Sequence, residues 1–252
     1  ALSSAASDVY KRQIEKKGNK KTLWITLIVI VVLIPATVGI SWYMGDRKYY
    51  IASVLIMIYS MVPFFASFES RKPQAREMVT LAIMCAIAVA ARTAFIWAPH
   101  FKPIGGIIMI TAMAFGPQAG FMTGSLSMIV SDMIFGQGPW TPWQMFSYGM
   151  LGFITGLLAK KGWLSEKKPL VAAVTGFVFM VLVVGPILDT ATLFTMSQFL
   201  NTESVLGIYL AGIPVNISQG VAVFLCVLLL TKPLMHKLNR IKIKYGIIDN
   251  EI

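Results

Sequence analysis

Charged residues are scarce in this chain of 252 residues. Only 13% of the residues are Asp, Glu, Lys or Arg, whereas 56% are hydrophobic. Soluble domains carry about 25% charged and about 45–50% apolar residues. The composition therefore excludes a soluble globular domain and predicts a polytopic membrane protein.

Residues that build metal and catalytic sites are equally few. The two cysteines, Cys85 and Cys226, lie within apolar runs and indicate neither a disulfide framework nor thiol chemistry. There are two histidines and no HExxH or CxxC pattern, so we expect no metal and no cofactor. The chain has no GxxxxGKS/T loop and no nucleophile with a base beside it, so it is expected neither to hydrolyse ATP nor to be an enzyme.

The apolar runs that are present predict an all-α fold, a bundle of eight transmembrane helices. A helix that crosses a bilayer needs about 20 residues. The runs place helices near 23–44, 49–67, 77–97, 104–116, 118–135, 142–159, 169–196 and 205–231. The fourth and fifth runs are short, and Gly116-Pro117 is expected to form a hinge between them.

Basic residues predict how the bundle is oriented. The net charge is +11, but the Lys and Arg residues gather in short segments between apolar runs rather than in one patch. Nucleic-acid binding is therefore not expected. The positive-inside rule instead predicts a multi-pass membrane protein with both termini in the cytoplasm.

The same map divides the chain into four parts. Residues 1–22 are a basic cytoplasmic N-terminus, in which the first 13 residues, ALSSAASDVYKRQ, are expected to be extraneous. Residues 23–67 form two additional transmembrane helices, and residues 77–231 form a six-helix membrane domain. Residues 232–252 form a basic cytoplasmic tail.

Three charged side chains lie within predicted spans, where a charge is costly and marks a functional candidate. Arg92, Asp132 and Asp189 all fall in the outer halves of their spans. This shared depth predicts one polar cavity that is open to the outside. The alternative is structural, with Arg92 paired to one aspartate to hold the bundle together.

The outer loops beside these charges supply aromatic surfaces and a few polar groups, as a ligand cavity needs. Two prolines and two glycines within FGQGPWTPWQMF favour a shaped lid over the cavity. For either tryptophan of this segment alone, anchoring at the membrane surface is the competing interpretation. The candidate ligand-binding residues of the two loops are Trp97, Phe101, Gln137, Trp140, Trp143 and Gln144.

Small residues recur at helical spacing in two spans. Ala82, Ala86 and Ala90 follow one face of the third span, and Gly116, Gly120 and Gly124 mark the fifth. Such faces let helix backbones approach closely within a membrane. For the alanines, internal packing and docking of another membrane protein both remain open.

The run FGPQAGFMTGSLSMIVSDMIFGQGPWTPWQMF resembles the substrate-binding (S) components of energy-coupling factor (ECF) transporters. The likeness covers the six spans of residues 77–231, which would then form the substrate-binding domain. Ala82, Ala86 and Ala90 are similar to the family's AxxxA surface, where the S component meets the transmembrane coupling subunit. The segment GIPVNISQG is similar to the family's last-helix pattern, which places Asn216 near the ligand.

The resemblance implies the membrane-embedded subunit of an ECF-type ABC importer in the bacterial cytoplasmic membrane. Such a subunit captures a vitamin-class small molecule at the extracellular side and docks on a coupling subunit that works with two ATPase subunits. The variant FGQGPWTPWQM looks most like members assigned to cobalamin or its precursors, so a cobalamin-type ligand is expected. The alternative is a membrane sensor or scaffold whose two N-terminal helices regulate a partner.

Overall fold

The computed structural model describes residues 22, 24–43, 49–71, 73–196 and 201–245. Within these ranges all regular elements are helices, as the sequence predicts. Residues 1–21 of the predicted N-terminal segment and residues 246–252 of the predicted tail lie outside them. The chain divides into two compact units, Ala1–Pro73 and Gln74–Ile252, and each is described by itself.

The first unit contains two apolar helices. Helix α1 covers residues 24–43 and includes a π-helical stretch at Val29–Leu33 before its final part, Ile34–Tyr43. Helix α2 covers Tyr49–Ser70 and carries Pro63 in its interior. Both agree closely with the predicted spans 23–44 and 49–67.

The second unit contains the helices that surround the candidate site. Among its described residues these are α3 (Ala75–Ala94), α4 (Ile104–Phe115), α5 (Pro117–Phe135), α6 (Thr141–Lys160), α7 (169–196) and α8 (Thr202–Tyr245). Helix α7 runs from Pro169–Phe179 through a π-helical stretch, Met180–Val184, into Gly185–Met196.

Four of the described helices are long and apolar enough to cross a membrane. These segments are Ile51–Ser70, Ala75–Ala94, Pro169–Thr195 and Thr202–Lys244. The expectation of eight such helices is therefore confirmed for α2, α3, α7 and α8 only. Helices α1 and α4 are apolar but shorter, and α5 and α6 contain many Gly, Ser and Thr residues, which lower their mean hydropathy.

Helix α4 forms the centre of the second unit. Its 12 residues extend for about 18 Å, well short of a hydrocarbon core of about 30 Å. Every residue of α4 except Met113 is buried, and the helix packs against all five of the other described helices of the unit. A helix that is apolar on all sides is expected to be buried in this way.

Helices α5 and α6 pack most closely, through glycines. A Cβ atom added at Gly120 would lie 2.6 Å from the carbonyl oxygen of Gly152. Gly124 lies in the same way against the backbone of Tyr148. The predicted small-residue face is thus confirmed at Gly120 and Gly124, and Gly116 (φ 86°) forms the predicted hinge instead. This close approach holds the last part of α5 beside the first part of α6.

Helix α8 is longer than the sequence predicts. It does not end near residue 231 but continues to Tyr245, so the first part of the expected tail is helical. The extension is held at two points: Asn239 Nδ2 donates to Glu166 Oε2 (3.2 Å), and Lys242 Nζ donates to the Ala114 carbonyl (2.6 Å). The cation of Lys242 thereby caps the C-terminal end of α4.

Candidate ligand-binding site

An ion pair joins α3 to α5 near one end of the bundle. The Arg92 guanidinium donates to Asp132 Oδ1 (2.9 Å) and to Ser131 Oγ (2.8 Å). Its central carbon lies 4.5 Å from the centroid of the Phe135 ring. Asp132 is only 1% exposed, so the carboxylate is removed from water and depends on such partners. The pairing that the sequence left as an alternative is therefore present.

Helix α6 supplies a second partner for the same carboxylate. The side-chain amide of Gln144 lies 3.1 Å from Asp132 Oδ1 and 3.2 Å from Oδ2. Its nitrogen is assigned to the side that faces these oxygens, because a carboxylate accepts hydrogen bonds and an amide oxygen cannot donate one. Since Gln144 lies in the first turns of α6, Asp132 connects three helices. A buried charge that is paired and hydrogen-bonded in this manner is tolerated, whereas an unpaired one is not.

Lys102, which the sequence analysis missed, lies beside this cluster in the α3–α4 loop. Its ammonium group donates to the carbonyls of Phe95 and Ala98 and lies 5.5 Å from the centroid of the Phe135 ring. Partial burial, followed by the nearby Arg92 charge, lowers the pKa of Lys102. In the sequence this lysine is one more loop cation, and no pattern indicates its carbonyl partners.

A cavity of about 250 Å³ opens next to Gln144. It is lined by Trp140, Gln144, Leu188, Ala191, Thr192 and Thr195. The four α7 residues follow the i, i+3, i+4, i+7 spacing of one helix face. Thr192 and Thr195 donate their hydroxyl hydrogens to α7 carbonyls (3.1 and 2.7 Å), which leaves hydroxyl oxygens able to accept.

Trp143 lies within helix α6, in agreement with the predicted span 142–159, and so it is not part of the lid expected in FGQGPWTPWQMF. Helix α6 begins at Thr141 because a proline is favoured in the first helical turn. The Trp143 ring stacks on Phe194 of α7 with centroids 6.1 Å apart and planes 23° apart. Its side chain is 5% exposed, and its Nε1–H has no hydrogen-bond partner among the described residues.

The segment before α6 is a compact turn that positions Trp140. The Thr141 amide donates to the Gly138 carbonyl (2.9 Å), and the Gly138 amide donates to the Thr141 hydroxyl (3.2 Å). A Cβ atom at Gly138 would lie 2.5 Å from the Trp140 indole ring, so only glycine allows this approach. The expected shaped turn is thus present, and it leaves the Trp140 ring facing the cavity.

Of the ten predicted ligand-binding residues, only Trp140 and Gln144 line this cavity. Three of the others belong to the loops. Trp97 is 76% exposed and donates Nε1–H to the carbonyl of Ala94 (3.1 Å). Phe101 lies 5.2 Å from the Phe95 ring, between centroids, and Gln137 is exposed. The exposed Trp97 fits the membrane-surface position that aromatic residues favour.

The predicted polar cavity of three charges appears as two separate pairs. Asp189 Oδ2 of α7 accepts a hydrogen bond from Asn216 Nδ2 of α8 (2.8 Å), whereas Asp132 binds Arg92. Gly212 lies directly against the Asp189 carboxylate, and Gly185 lies against the Asn216 amide. These glycines allow α7 and α8 to approach closely enough for the second pair.

The alanine stripe of α3 lies outside the core of the second unit. Ala82, Ala86 and Ala90 are exposed, whereas the opposite face of the helix, including Met84 and Ala88, is buried. Internal packing within this unit therefore does not account for the stripe.

Comparison with known families identifies the chain. Residues 72–236, more than half of it, match the family described as ECF-type riboflavin transporter, S component. The protein belongs to this family. It is accordingly a membrane substrate-binding subunit of an ECF transporter for a vitamin, and not an enzyme. No solved structure matches this S component.

The match confirms the S-component resemblance but does not confirm the expected cobalamin-type ligand. The family is the riboflavin one, and cobalamin specificity finds no support. The motif FGQGPWTPWQM by itself does not distinguish ligands, because a glycine- and proline-rich turn that holds a tryptophan suits flat ligands of several kinds. Helices α1 and α2 lie outside the matched residues.

Proposed function

We propose that this S component captures riboflavin at the extracellular side and delivers it through an ECF-type importer. The family match carries the proposal. The cavity between α6 and α7 supports it, because it combines an aromatic wall with a few polar groups in the proportion typical of small-molecule sites.

The size of the cavity favours riboflavin over cobalamin. Its volume of about 250 Å³ is close to the lower end of the roughly 300–1,000 Å³ that ligand sites occupy. A corrin ring with its nucleotide loop has several times the mass of riboflavin. A flat three-ring compound with a slender side chain is the better match for a cavity of this size.

The chemistry of the walls also fits a flavin. Trp140 offers a flat apolar surface for the isoalloxazine ring. Trp143 and Phe194 stack on each other and are the sequence neighbours of the lining residues Gln144 and Thr195. The Nε1–H of Trp143 is a buried donor, and a ligand carbonyl is the kind of acceptor that would satisfy it. Thr192 and Thr195 offer hydroxyl oxygens suited to the hydroxyl groups of the ribityl chain.

We further propose that the cavity faces outward and that the chain termini lie in the cytoplasm. The hydrogen bond between Asn239 and Glu166 holds the far end of α8 beside the α6–α7 loop. Both segments are rich in lysine, as expected of the cytoplasmic side. The cavity lies near the start of α6, the opposite end of that helix.

The exposed alanine stripe is proposed as the surface that docks on the transmembrane coupling subunit. Ala82, Ala86 and Ala90 allow another helix to approach α3 closely. The sequence contains no phosphate-binding loop, so the energy for release is assigned to two ATPase subunits bound to that coupling subunit.

Riboflavin fluorescence tests the ligand directly. Titrating the purified protein into riboflavin should quench the flavin emission, because stacking on tryptophan quenches flavins. An excess of cobalamin should not restore it. Displacement of riboflavin by an equal amount of cobalamin, or no quenching at protein concentrations up to the millimolar range, would contradict the proposal.

A further inference from the structure

The orientation of the Gln144 amide is set from outside the cavity. With its nitrogen assigned to the side of Asp132, the amide donates to both carboxylate oxygens, at 3.1 and 3.2 Å. Asp132 is in turn held by the Arg92 guanidinium at 2.9 Å and is 1% exposed. Asp132 itself does not line the cavity, but Gln144 does.

This arrangement fixes whether Gln144 presents a hydrogen-bond donor or an acceptor to the cavity. A carboxylate in an ion pair has no hydrogen to donate and can only accept. The Gln144 amide must therefore turn its NH₂ group toward Asp132, which directs its carbonyl oxygen away from the ion pair. A cavity wall that could in principle present either a donor or an acceptor thus presents an acceptor.

We propose that Asp132 and Arg92 are positioning residues that fix Gln144 as an acceptor for an N–H group of the ligand. The inference rests on the proposed riboflavin function. In riboflavin the matching group is the imide N–H on the pyrimidine edge of the ring. Asp132 then affects ligand choice without touching the ligand.

The imide N–H is a better partner for Gln144 than a ribityl hydroxyl group, because it can act only as a donor. A hydroxyl group rotates and can donate or accept, so it would bind Gln144 in either amide orientation. An imide nitrogen can only donate. A fixed orientation of the Gln144 amide therefore affects the binding of a group that can only donate, such as the imide, and not that of a hydroxyl group.

The variant Asp132→Asn tests this role with almost no change of shape. The Asn oxygen can still accept from Arg92, but its NH₂ group then faces Gln144. This NH₂ group takes the place of Oδ2 and repels the Gln144 nitrogen 3.2 Å away, whereas a reversed Gln144 amide accepts a hydrogen bond from it. The reversed amide is therefore favoured, and the cavity gains a donor in place of the acceptor. The imide N–H of riboflavin would then meet an N–H group.

The measurement is the ratio of two dissociation constants, that of imide-N-methyl riboflavin divided by that of riboflavin. Wild type should discriminate strongly, since methylation removes the donor. In Asp132→Asn this ratio should fall by about tenfold, the value of one hydrogen bond to a group otherwise left unpaired. Any steric effect of the methyl group is common to both proteins and cancels.

Ser131→Ala is the matched control. It removes the other hydrogen bond of Arg92, at 2.8 Å, on the same helix turn, yet leaves the Asp132–Gln144 contact in place. Its ratio should equal that of wild type. A purely structural effect of the cluster would change both variants in the same way and would overturn the inference.

Each outcome is decisive. An unchanged ratio in a folded Asp132→Asn protein that binds riboflavin refutes the positioning role. If that variant cannot be purified, Gln144→Met, which lacks the acceptor, must show the reduced ratio, and an unchanged ratio there has the same consequence. Absence of riboflavin binding by wild type would instead overturn the proposed function, and the inference with it.

Discussion

Replacing Trp143 with phenylalanine separates the two properties of this side chain. Phenylalanine keeps a ring that can stack on Phe194 but loses the Nε1–H donor, which has no partner among the described residues. A buried donor left without a partner costs about 1–3 kcal/mol. The unliganded variant therefore gains roughly this much by losing the donor, against a packing loss of similar size for the smaller ring.

The ligand-bound protein should respond differently. If the Trp143 donor is satisfied by a riboflavin carbonyl, the variant loses that hydrogen bond, about 1 kcal/mol or more. Riboflavin affinity should then fall about five- to tenfold while the melting temperature of the unliganded protein stays within a few degrees. Fluorescence titration and thermal unfolding in the same detergent give the two values.

Trp163→Phe provides the control for this substitution. Trp163 is 68% exposed and lies just after helix α6, at the end remote from the cavity, so its replacement should change neither value. Unchanged riboflavin affinity in Trp143→Phe would refute the assignment of Trp143 as a ligand donor. A large loss of unliganded stability would show that the indole mainly fills the core.

Three further predictions concern docking, topology and the α8 extension. Replacing Ala86 and Ala90 with tryptophan should abolish riboflavin uptake by cells but preserve riboflavin binding by the isolated protein. Loss of binding together with uptake would exclude a docking role. A cysteine at Ser165 should react only with reagent applied from the cytoplasm and one at Thr202 only from outside, and labelling of both from one side would contradict the topology. Lys242→Met should lower the free energy of unfolding by about 0.3–1 kcal/mol, measured by thermal unfolding, because a charge at a helix end is lost. Ligand affinity should not change, and a change of affinity would contradict a purely capping role.

Hydropathy was sufficient to predict most of the helices, because a chain in lipid must satisfy its backbone groups within each helix. The hydropathy-based prediction failed for segments whose composition does not indicate their conformation. The extension of α8 beyond residue 231 carries many charges and Pro233, which indicate a tail, yet Met235 and Leu238 are buried and keep it helical. The short length of α4 follows from its burial in protein, which releases it from matching the bilayer.

The site was predicted only in part, for a geometric reason. Sequence position gives the depth of a residue along a helix but not the direction in which its side chain points. Arg92, Asp132 and Asp189 share a depth, yet Asp189 faces Asn216 and only the first two meet. Gln144 was identified as a site residue from its loop, but its bond to Asp132 depends on the close packing of α5 against α6.

A structure of the protein with riboflavin bound tests the central claim most directly. The isoalloxazine ring is expected in the cavity between α6 and α7, against Trp140, with its imide edge at Gln144. Riboflavin bound at another place, or the ring turned so that the imide edge faces away from Gln144, would contradict it.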